Sequence, residues 1–208
     1  MYLFKQTQFP GFVFLLVITW SCTTTVNDHS TYFPVDSLIR AQAIHLVEIN
    51  ASLTKHAQID GTEETTSFIP ADTNAWLKEL DIFSALNAIN KPVNHGGYEV
   101  TEGRDEASSN LVVRAFTSKI SLPVEWLKVY YQDSPRNIRR MEALYREDSS
   151  LMKGSRMVIM EFQELNNKIT LTSYSIEGGQ AMFLASPVEF SITGTITSDS
   201  WLRANTNR

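Results

Sequence analysis

The chain has 208 residues, of which 43% are hydrophobic and 20% charged, with 9 glycines, 7 prolines and a single cysteine. This composition excludes a collagen-like chain, a disulfide scaffold, a multi-span membrane protein and a wholly disordered chain. The formal net charge of −5 argues against nucleic-acid binding through bulk positive charge. The length suits one domain, and no long linker or internal repeat divides it.

The first 22 residues have the form of an export signal. Lys5 precedes an apolar run over Phe12–Trp20, and Ser21 leads directly into Cys22, the only cysteine in the chain. The run is shorter than the ~20 apolar residues that span a bilayer, and a lone cysteine has no partner for an internal disulfide. The arrangement resembles a bacterial lipoprotein signal, which implies cleavage before Cys22 and its modification with diacylglyceryl and acyl groups such as palmitate.

This interpretation divides the chain into a signal peptide over residues 1–21, a lipidated cysteine with a flexible tether over 22–31, a single domain over 32–200 and a tail over 201–208. It places the protein in the bacterial cell envelope, anchored to a membrane, with the outer membrane and its periplasmic or surface face as the expected site. Thr19-Trp20 departs from the pair usual before a lipoprotein cysteine. A secreted protein with an incidental cysteine and an uncleaved N-terminal anchor are the alternatives.

The domain is predicted to begin with a helix and a hairpin. Pro34 suits a helix start, and apolar residues at helical spacing predict a helix over Pro34–Ala51. Asp60-Gly61 lies between two polar extended segments, which predicts a β-hairpin near the surface.

A second helix is predicted over Asp72–Ile89. Asp72 is suited to cap its N-terminus, and Pro92 prevents its continuation. Its apolar stripe, which we expect to pack against a sheet, consists of Trp76, Leu80 and Phe83.

From Tyr98 onward the hydrophobic pattern has a period of two, which is typical of β-strands. Gly, Pro, Asn and Asp residues separate the strands, and Gly178-Gly179 is one of the predicted turns. Short connections between successive strands predict an antiparallel meander. The predicted strands are Leu111–Ile120, Val124–Tyr131, Ile138–Arg146, Met157–Glu164, Lys168–Ile176, Ala181–Ala185 and Val188–Thr197.

Together these elements predict an α+β fold, in which two N-terminal helices with a polar hairpin between them pack on a curved antiparallel β-meander or partly open barrel. The helix Trp76–Phe83, the segment Ile89-Asn-Lys-Pro92 and the strand Ala143-Leu-Tyr145 resemble those of a family of uncharacterised bacterial envelope lipoproteins. The resemblance covers most of the chain after the signal. It implies envelope anchoring, and it brings no catalytic residue.

No spacing in the sequence predicts a catalytic or metal site. The histidines are scattered, and there is no second cysteine to complete a zinc site. Ser52–Lys55 and Ser150–Lys153 fit a Ser-x-x-Lys pattern, but its companion motifs are missing. We therefore expect no cofactor, no metal and no enzymatic activity, and a hydrolase is the least favoured function.

Bulky side chains at alternate positions of three strands are candidates for a ligand site. A curled sheet has a concave face, which the helices either fill or cover as a pocket that suits an acyl chain. The candidate ligand-facing residues are Trp126, Tyr130, Met160, Phe162 and Tyr174.

One basic cluster lies around the start of the strand at Ile138. Arg136, Arg139 and Arg140 are candidate contacts for an anion or a lipid headgroup. A solvated sheet face, on which arginines pair with carboxylates across strands, is the favoured interpretation of the same residues.

Two functions are favoured over a hydrolase. The leading one is a non-catalytic binding module for an apolar or amphipathic ligand or another envelope component. The alternative is a structural or assembly subunit that docks onto a membrane protein complex through the sheet edge or the arginines. In both, lipidated Cys22 attaches the chain to the membrane, and the partner is a lipid-like ligand or an envelope protein rather than nucleic acid.

Overall fold

The computed structural model describes residues 31–105, 107, 110–182 and 185–198. The α-helices are α1 (Val35–Glu48), α2 (Thr73–Glu79) and α3 (Asp81–Ser84), and 3-10 helices follow over Ala85–Asn90 and Pro92–Asn94. The strands are β1 (Ser52–Ile59), β2 (Thr62–Phe68), β3 (Tyr98–Arg104), β4 (Val112–Ser118), β5 (Val124–Tyr131), β6 (Ile138–Asp148), β7 (Met152–Leu165), β8 (Lys168–Met182) and β9 (Val188–Thr197). Cys22 and the predicted tail over residues 201–208 lie outside the described residues.

All nine strands belong to one antiparallel sheet in the order β2-β1-β9-β8-β7-β6-β5-β4-β3. The predicted antiparallel meander is confirmed for β3 to β9, because each of these strands pairs with the next in sequence. The sheet is not closed: β2 and β3 form its two edges. The N-terminal hairpin extends this sheet, since β1 pairs with β9 along its full length.

The predicted hairpin turn at Asp60-Gly61 is confirmed. Asp60 has φ 47° and Gly61 has φ 80°, as a two-residue hairpin turn requires. The Glu189 amide donates to the Asp60 carboxylate at 3.1 Å, and the Asp60 amide donates to the Glu189 carbonyl at 3.1 Å. These two bonds tie the turn to β9.

Helix α1 buries one face and is linked to the sheet by a buried glutamine. Its buried apolar residues recur every three or four positions, and they are Val35, Ile39, Ala43 and Leu46. The Gln42 amide donates to the Ile169 carbonyl at 3.0 Å and accepts from the Leu171 amide nitrogen at 2.8 Å. Both polar ends of a buried side chain are therefore satisfied by β8.

The second predicted helix is broken into α2, α3 and a 3-10 helix. Asp72 caps α2 as expected, because its carboxylate accepts from the Ala75 amide at 2.8 Å. Leu80, Phe83, Leu86 and Ile89 are all buried and follow each other every three residues. A 3-10 helix has three residues per turn, so it keeps residues at this spacing on one face. An α-helix has about 3.6 residues per turn and would carry them progressively around its surface, so this spacing favours the 3-10 geometry that follows α3.

The predicted turn at Gly178-Gly179 and the separate strand over Ala181–Ala185 are wrong. Strand β8 runs without interruption from Lys168 to Met182 and pairs with β7 throughout this region. A Cβ atom at Gly178 would collide with the Ser155 carbonyl oxygen of β7. Here glycine permits close approach of two backbones inside a strand, which a sequence pattern does not distinguish from a turn.

The two faces of the sheet differ sharply in burial. On the face that we call the helix-side face, cross-strand neighbours from β5 to β8 share one core with the helices. Across β8 and β9, the Tyr174 ring lies against Gly194, where a Cβ atom would overlap the ring. The opposite face, which we call the open face, carries the intervening residues. The buried neighbours on the helix-side face include Leu127, Val129, Met141, Ala143, Val158, Met160, Tyr174 and Ile176.

Candidate functional site

Three of the five candidate ligand-facing residues lie in the core. Met160 is 0% exposed, and Phe162 and Tyr174 are each 3% exposed. The Phe83 ring of α3 packs edge-on against the Tyr174 ring with centroids 5.4 Å apart. Burial raises the pKa of the Tyr174 hydroxyl to about 12, and the charge of Glu79 adds to that effect. In this structure these three side chains pack against the protein's own core.

The other two candidates, Trp126 and Tyr130, lie on the open face. Both alternate along β5 with the buried residues Leu127 and Val129, so they point away from Met160. The five candidates therefore do not line one concave surface. The sequence pattern did not separate them because β5 and β7 carry large side chains at both alternating positions.

The apolar side chains of the open face are grouped on β5, β6 and β7. Trp126 lies directly opposite Leu144, which lies opposite Met157. Ile159 is the next open-face residue along β7, and all four are partly exposed. We call Trp126, Tyr130, Leu144, Met157 and Ile159 the open-face patch. Open faces of antiparallel sheets usually carry polar residues, so this group departs from the common pattern.

Charged residues within the patch are already paired. The Arg140 guanidinium contacts Glu142 at 2.5 Å and also pairs with Glu161 on β7. The Tyr130 hydroxyl donates to the Glu142 carboxylate at 3.1 Å. Burial raises the pKa of Tyr130 to about 12, with further contributions from the charge and hydrogen bond of Glu142. The Lys128 amine lies 5.2 Å from the centre of the Trp126 ring, a cation–π distance.

The three candidate anion contacts differ in their surroundings. Arg139 binds the Glu164 carboxylate at 3.0 Å and the Gln132 side chain at 3.1 Å, and Arg140 is held by two glutamates. Arg136 is exposed in the turn between β5 and β6. Two of the three guanidinium groups thus have carboxylate partners, the arrangement that cross-strand pairing predicts.

The other half of the open face is rich in hydroxyl groups. Residues that lie opposite each other on successive strands form a row across the sheet. From Ile159 on β7, this row continues through β8, β9, β1 and β2 with Ser175, Thr193, His56 and Thr65. The next row continues from Glu161 through a second set of Ser and Thr residues. Its members are Ser173, Thr195, Thr54 and Ser67.

Among the residues that the structure describes, the histidines and the Ser-x-x-Lys segments form no common cluster. His45 bonds Thr170 at 3.0 Å, and His56 bonds Thr65 at 2.8 Å. Ser52 and Lys55 lie on opposite faces of β1, where Lys55 pairs with Glu79 at 2.7 Å. Within the described residues, no group of three or more His, Cys, Asp or Glu side chains is placed to hold a metal ion. None of the described helices is both long and apolar enough to cross a lipid bilayer.

A shallow cleft, open to solvent, lies among the ends of β6 to β9. Strand residues alone line it, including Tyr145, Glu147, Arg156, Gln180 and Phe190. We call this the end cleft. The Arg156 guanidinium stacks over the Tyr145 ring, 4.4 Å from its centre.

Sequence reasoning missed Leu144, Met157 and Ile159 as surface residues and missed the end cleft. The available signal was the run Met157-Val-Ile-Met-Glu-Phe162, which is apolar at both alternating positions and therefore indicates apolar side chains on both faces of a strand. The end cleft has no such signal, because register brings Tyr145 and Arg156 together. Comparison of the chain with protein-family models, with curated proteins and with solved structures gave no match.

Proposed function

We propose that this chain is a bacterial envelope lipoprotein whose domain acts as a non-catalytic docking module, and that it binds another envelope protein through the open-face patch. The observation that carries this proposal is the grouping of five large side chains on three central strands of the open face. Apolar patches on a protein surface are a common feature of interaction sites, and each of these five side chains is partly exposed.

The proposal includes an α+β arrangement in which the helices seal the helix-side face. The Phe83–Tyr174 ring contact and the two hydrogen bonds between Gln42 and β8 support it. Trp76, Leu80 and Met160 are each 0% exposed, as expected where helix side chains occupy the space that a ligand would need. A function through the exterior is then favoured over a lipid pocket under the helices.

The chemistry of the patch favours a protein partner over a lipid surface. Glu142 lies in its middle and Glu161 at its margin, and carboxylates are costly to transfer into hydrocarbon. Arg140 neutralises part of their charge, so a partner with apolar and uncharged polar groups can cover the patch. We expect binding that depends little on salt, since few free charges are involved.

Site-specific photo-crosslinking in the native cell tests the docking proposal. A photoreactive amino acid replaces Ile159 in the patch or Thr65 at the far end of the same row, about 19 Å away across four strand spacings. We expect a discrete protein adduct from position 159 and none from position 65. An adduct from position 65 alone would instead favour docking through the β2 edge, and no adduct from position 159 would refute the proposal.

The membrane anchor is a separate part of the proposal, supported by the apolar run before Ser21-Cys22. Cys22→Ala should move the protein from the membrane fraction to the soluble fraction or leave it as an uncleaved precursor. Ser21→Ala, which keeps a small residue before the cysteine, serves as the matched control and should remain in the membrane fraction. Unchanged lipid labelling of the Cys22→Ala variant would refute the anchor and leave the docking proposal standing.

A further inference from the structure

The end cleft holds a cation and an anion that do not pair with each other. Arg156 on β7 lies directly opposite Tyr145, and Glu147 lies two residues further along β6, so Arg156 and Glu147 share a face as diagonal neighbours. Both side chains line the cleft. Neither one forms an ion pair with any residue in the described parts of the chain.

This arrangement differs from that of the other arginines nearby. Arg139, Arg140 and Arg146 on β6 each contact a glutamate, at distances that include 3.0 Å for Arg139–Glu164 and 2.5 Å for Arg146–Glu125. Arg156 instead rests on the Tyr145 ring. A stacked guanidinium keeps its N–H groups free along its edge, where they can bind a carboxylate through two parallel hydrogen bonds.

The remaining walls of the cleft specify the rest of a ligand. The Glu147 carboxylate accepts hydrogen bonds from an ammonium group, and the Gln180 amide can both donate and accept. The Phe190 ring and the Met152 side chain add an apolar surface on the same side. The cleft is shallow and open to solvent, so a ligand would lie along its walls, and its two charged groups must span the diagonal spacing of Glu147 and Arg156.

From this geometry we propose that the end cleft binds a small zwitterion, an α-amino acid or a short peptide with an apolar side chain. Its carboxylate bonds Arg156, its ammonium group faces Glu147, and its side chain contacts Phe190. The site lies apart from the open-face patch, because Tyr145 and Arg156 belong to the helix-side positions of their strands. Binding here is therefore independent of the docking function.

Isothermal titration calorimetry of the full-length protein in detergent tests this site with four probes: leucine, dileucine, N-acetylleucine and leucinamide. The last two probes each lack one of the two charges. We expect saturable binding of either leucine or dileucine, depending on which one has its two charged groups at the spacing of Arg156 and Glu147. N-acetylleucine and leucinamide should each bind about tenfold more weakly, because each loses a charge-assisted hydrogen bond.

Variants identify the groups involved. Arg156→Gln should weaken binding of the zwitterion by about tenfold, and Glu147→Gln should weaken it by a smaller factor. Arg114→Gln is the matched control, because Arg114 also lies over an aromatic ring, Phe116 at 5.5 Å, but outside this cleft. No saturable heat from any probe, with the protein shown to be folded by circular dichroism, would overturn the proposal. Binding that is equal in Arg156→Gln and Arg114→Gln would overturn it as well.

Discussion

Strands β5 to β7 and strands β8, β9, β1 and β2 belong to one sheet, yet their open faces have different chemistry. On β5 to β7 this face carries Trp126, Leu144, Met157 and Ile159, with charges that are paired among themselves. The other four strands continue these rows with polar residues: serine, threonine and histidine along the row of Ile159, and Glu177, Ser191, Gln58 and Glu63 along the row of Met157. Exposure to solvent favours the polar composition of β8, β9, β1 and β2. The apolar composition of β5 to β7 therefore needs a different cause.

The contrast shows that burial on the helix side does not determine what a strand carries on its other side. Ile176 and Val158 are direct neighbours in the core, each 2% exposed. Yet the adjacent open-face residues are Ser175 on β8 and Ile159 on β7, which also face each other. The protein partner that we propose would cover only β5 to β7, which would explain a boundary that runs between two paired strands.

The largest expected effect separates the two faces of the molecule. Trp76→Ala removes a fully buried ring and should lower the free energy of unfolding by ~3–5 kcal/mol, whereas Trp126→Ala on the open face should lower it by about 1 kcal/mol. Chemical denaturation of the two variants measures both values. Equal losses would mean that Trp126 is part of the core and that the open-face patch is not an exposed surface.

A smaller effect tests the packing of β8 against β9 on the helix-side face. Gly194→Ala places a Cβ atom inside the space of the Tyr174 ring and should cost ~1–3 kcal/mol of stability. Gly103→Ala on edge strand β3 meets no atom within 4 Å and has no positive φ, so it should change stability by no more than about 0.5 kcal/mol. Thermal melts compare them, and a neutral Gly194→Ala would show that the ring is free to move.

Exchanging the composition of the two halves tests the comparison itself. Replacing Met157 and Ile159 with threonine makes the patch resemble the hydroxyl-rich half, and we expect the free energy of unfolding to change by no more than about 1 kcal/mol per site. A photo-crosslinker at Leu144, which we expect to give a protein adduct when Met157 and Ile159 are unchanged, should then lose that adduct. Thr193→Ser with Thr195→Ser is the matched control and should leave that adduct intact. Retention of the adduct in the threonine variant would argue against apolar docking.

The smallest effect concerns Tyr130. Burial raises the pKa of its hydroxyl from the ordinary value of 10.0 to about 12. Because the pKa of Tyr130 is higher in the folded state than in the unfolded state, this hydroxyl contributes to the free energy of unfolding below pH 10. That contribution is lost as the pH rises toward 12. Glu142→Gln removes a neighbouring charge and should lower the Tyr130 pKa, while burial keeps it above 10.0.

Tyrosinate absorbance of the Glu142→Gln variant, with Tyr130→Phe subtracted as the reference, measures this shift. A pKa that does not change in Glu142→Gln would mean that the carboxylate and the phenol are not in contact.

Local patterns predicted most of the fold. Strands β5 and β9 begin and end where the alternation predicts, and Asp60-Gly61 forms the predicted hairpin turn. The errors occur where contacts far apart in sequence decide the structure. Gly178 is required by the backbone of β7, and the helix after Asp72 tightens to 3-10 geometry because its apolar residues recur every three positions.

The candidate site was harder to predict because a site depends on which face each residue occupies. The alternating pattern places Trp126 and Met160 each among the large side chains on one face of its strand. Only the pairing of β5 with β6, and of β6 with β7, shows that these two faces are on opposite sides of the sheet. The end cleft depends on the register of Tyr145 and Arg156 across β6 and β7. Register is a property of the assembled sheet rather than of any one strand.

The central claim is that the open-face patch is covered by a protein in the cell envelope. Oxidative footprinting with mass spectrometry tests it by comparing two methionines in intact cells and in the purified protein: Met157 in the patch and Met182, which is 55% exposed at the end of β8. We expect Met157 to be oxidised much less in cells than in the purified protein, and Met182 to be oxidised equally in both. Equal oxidation of Met157 in the two settings would contradict the account.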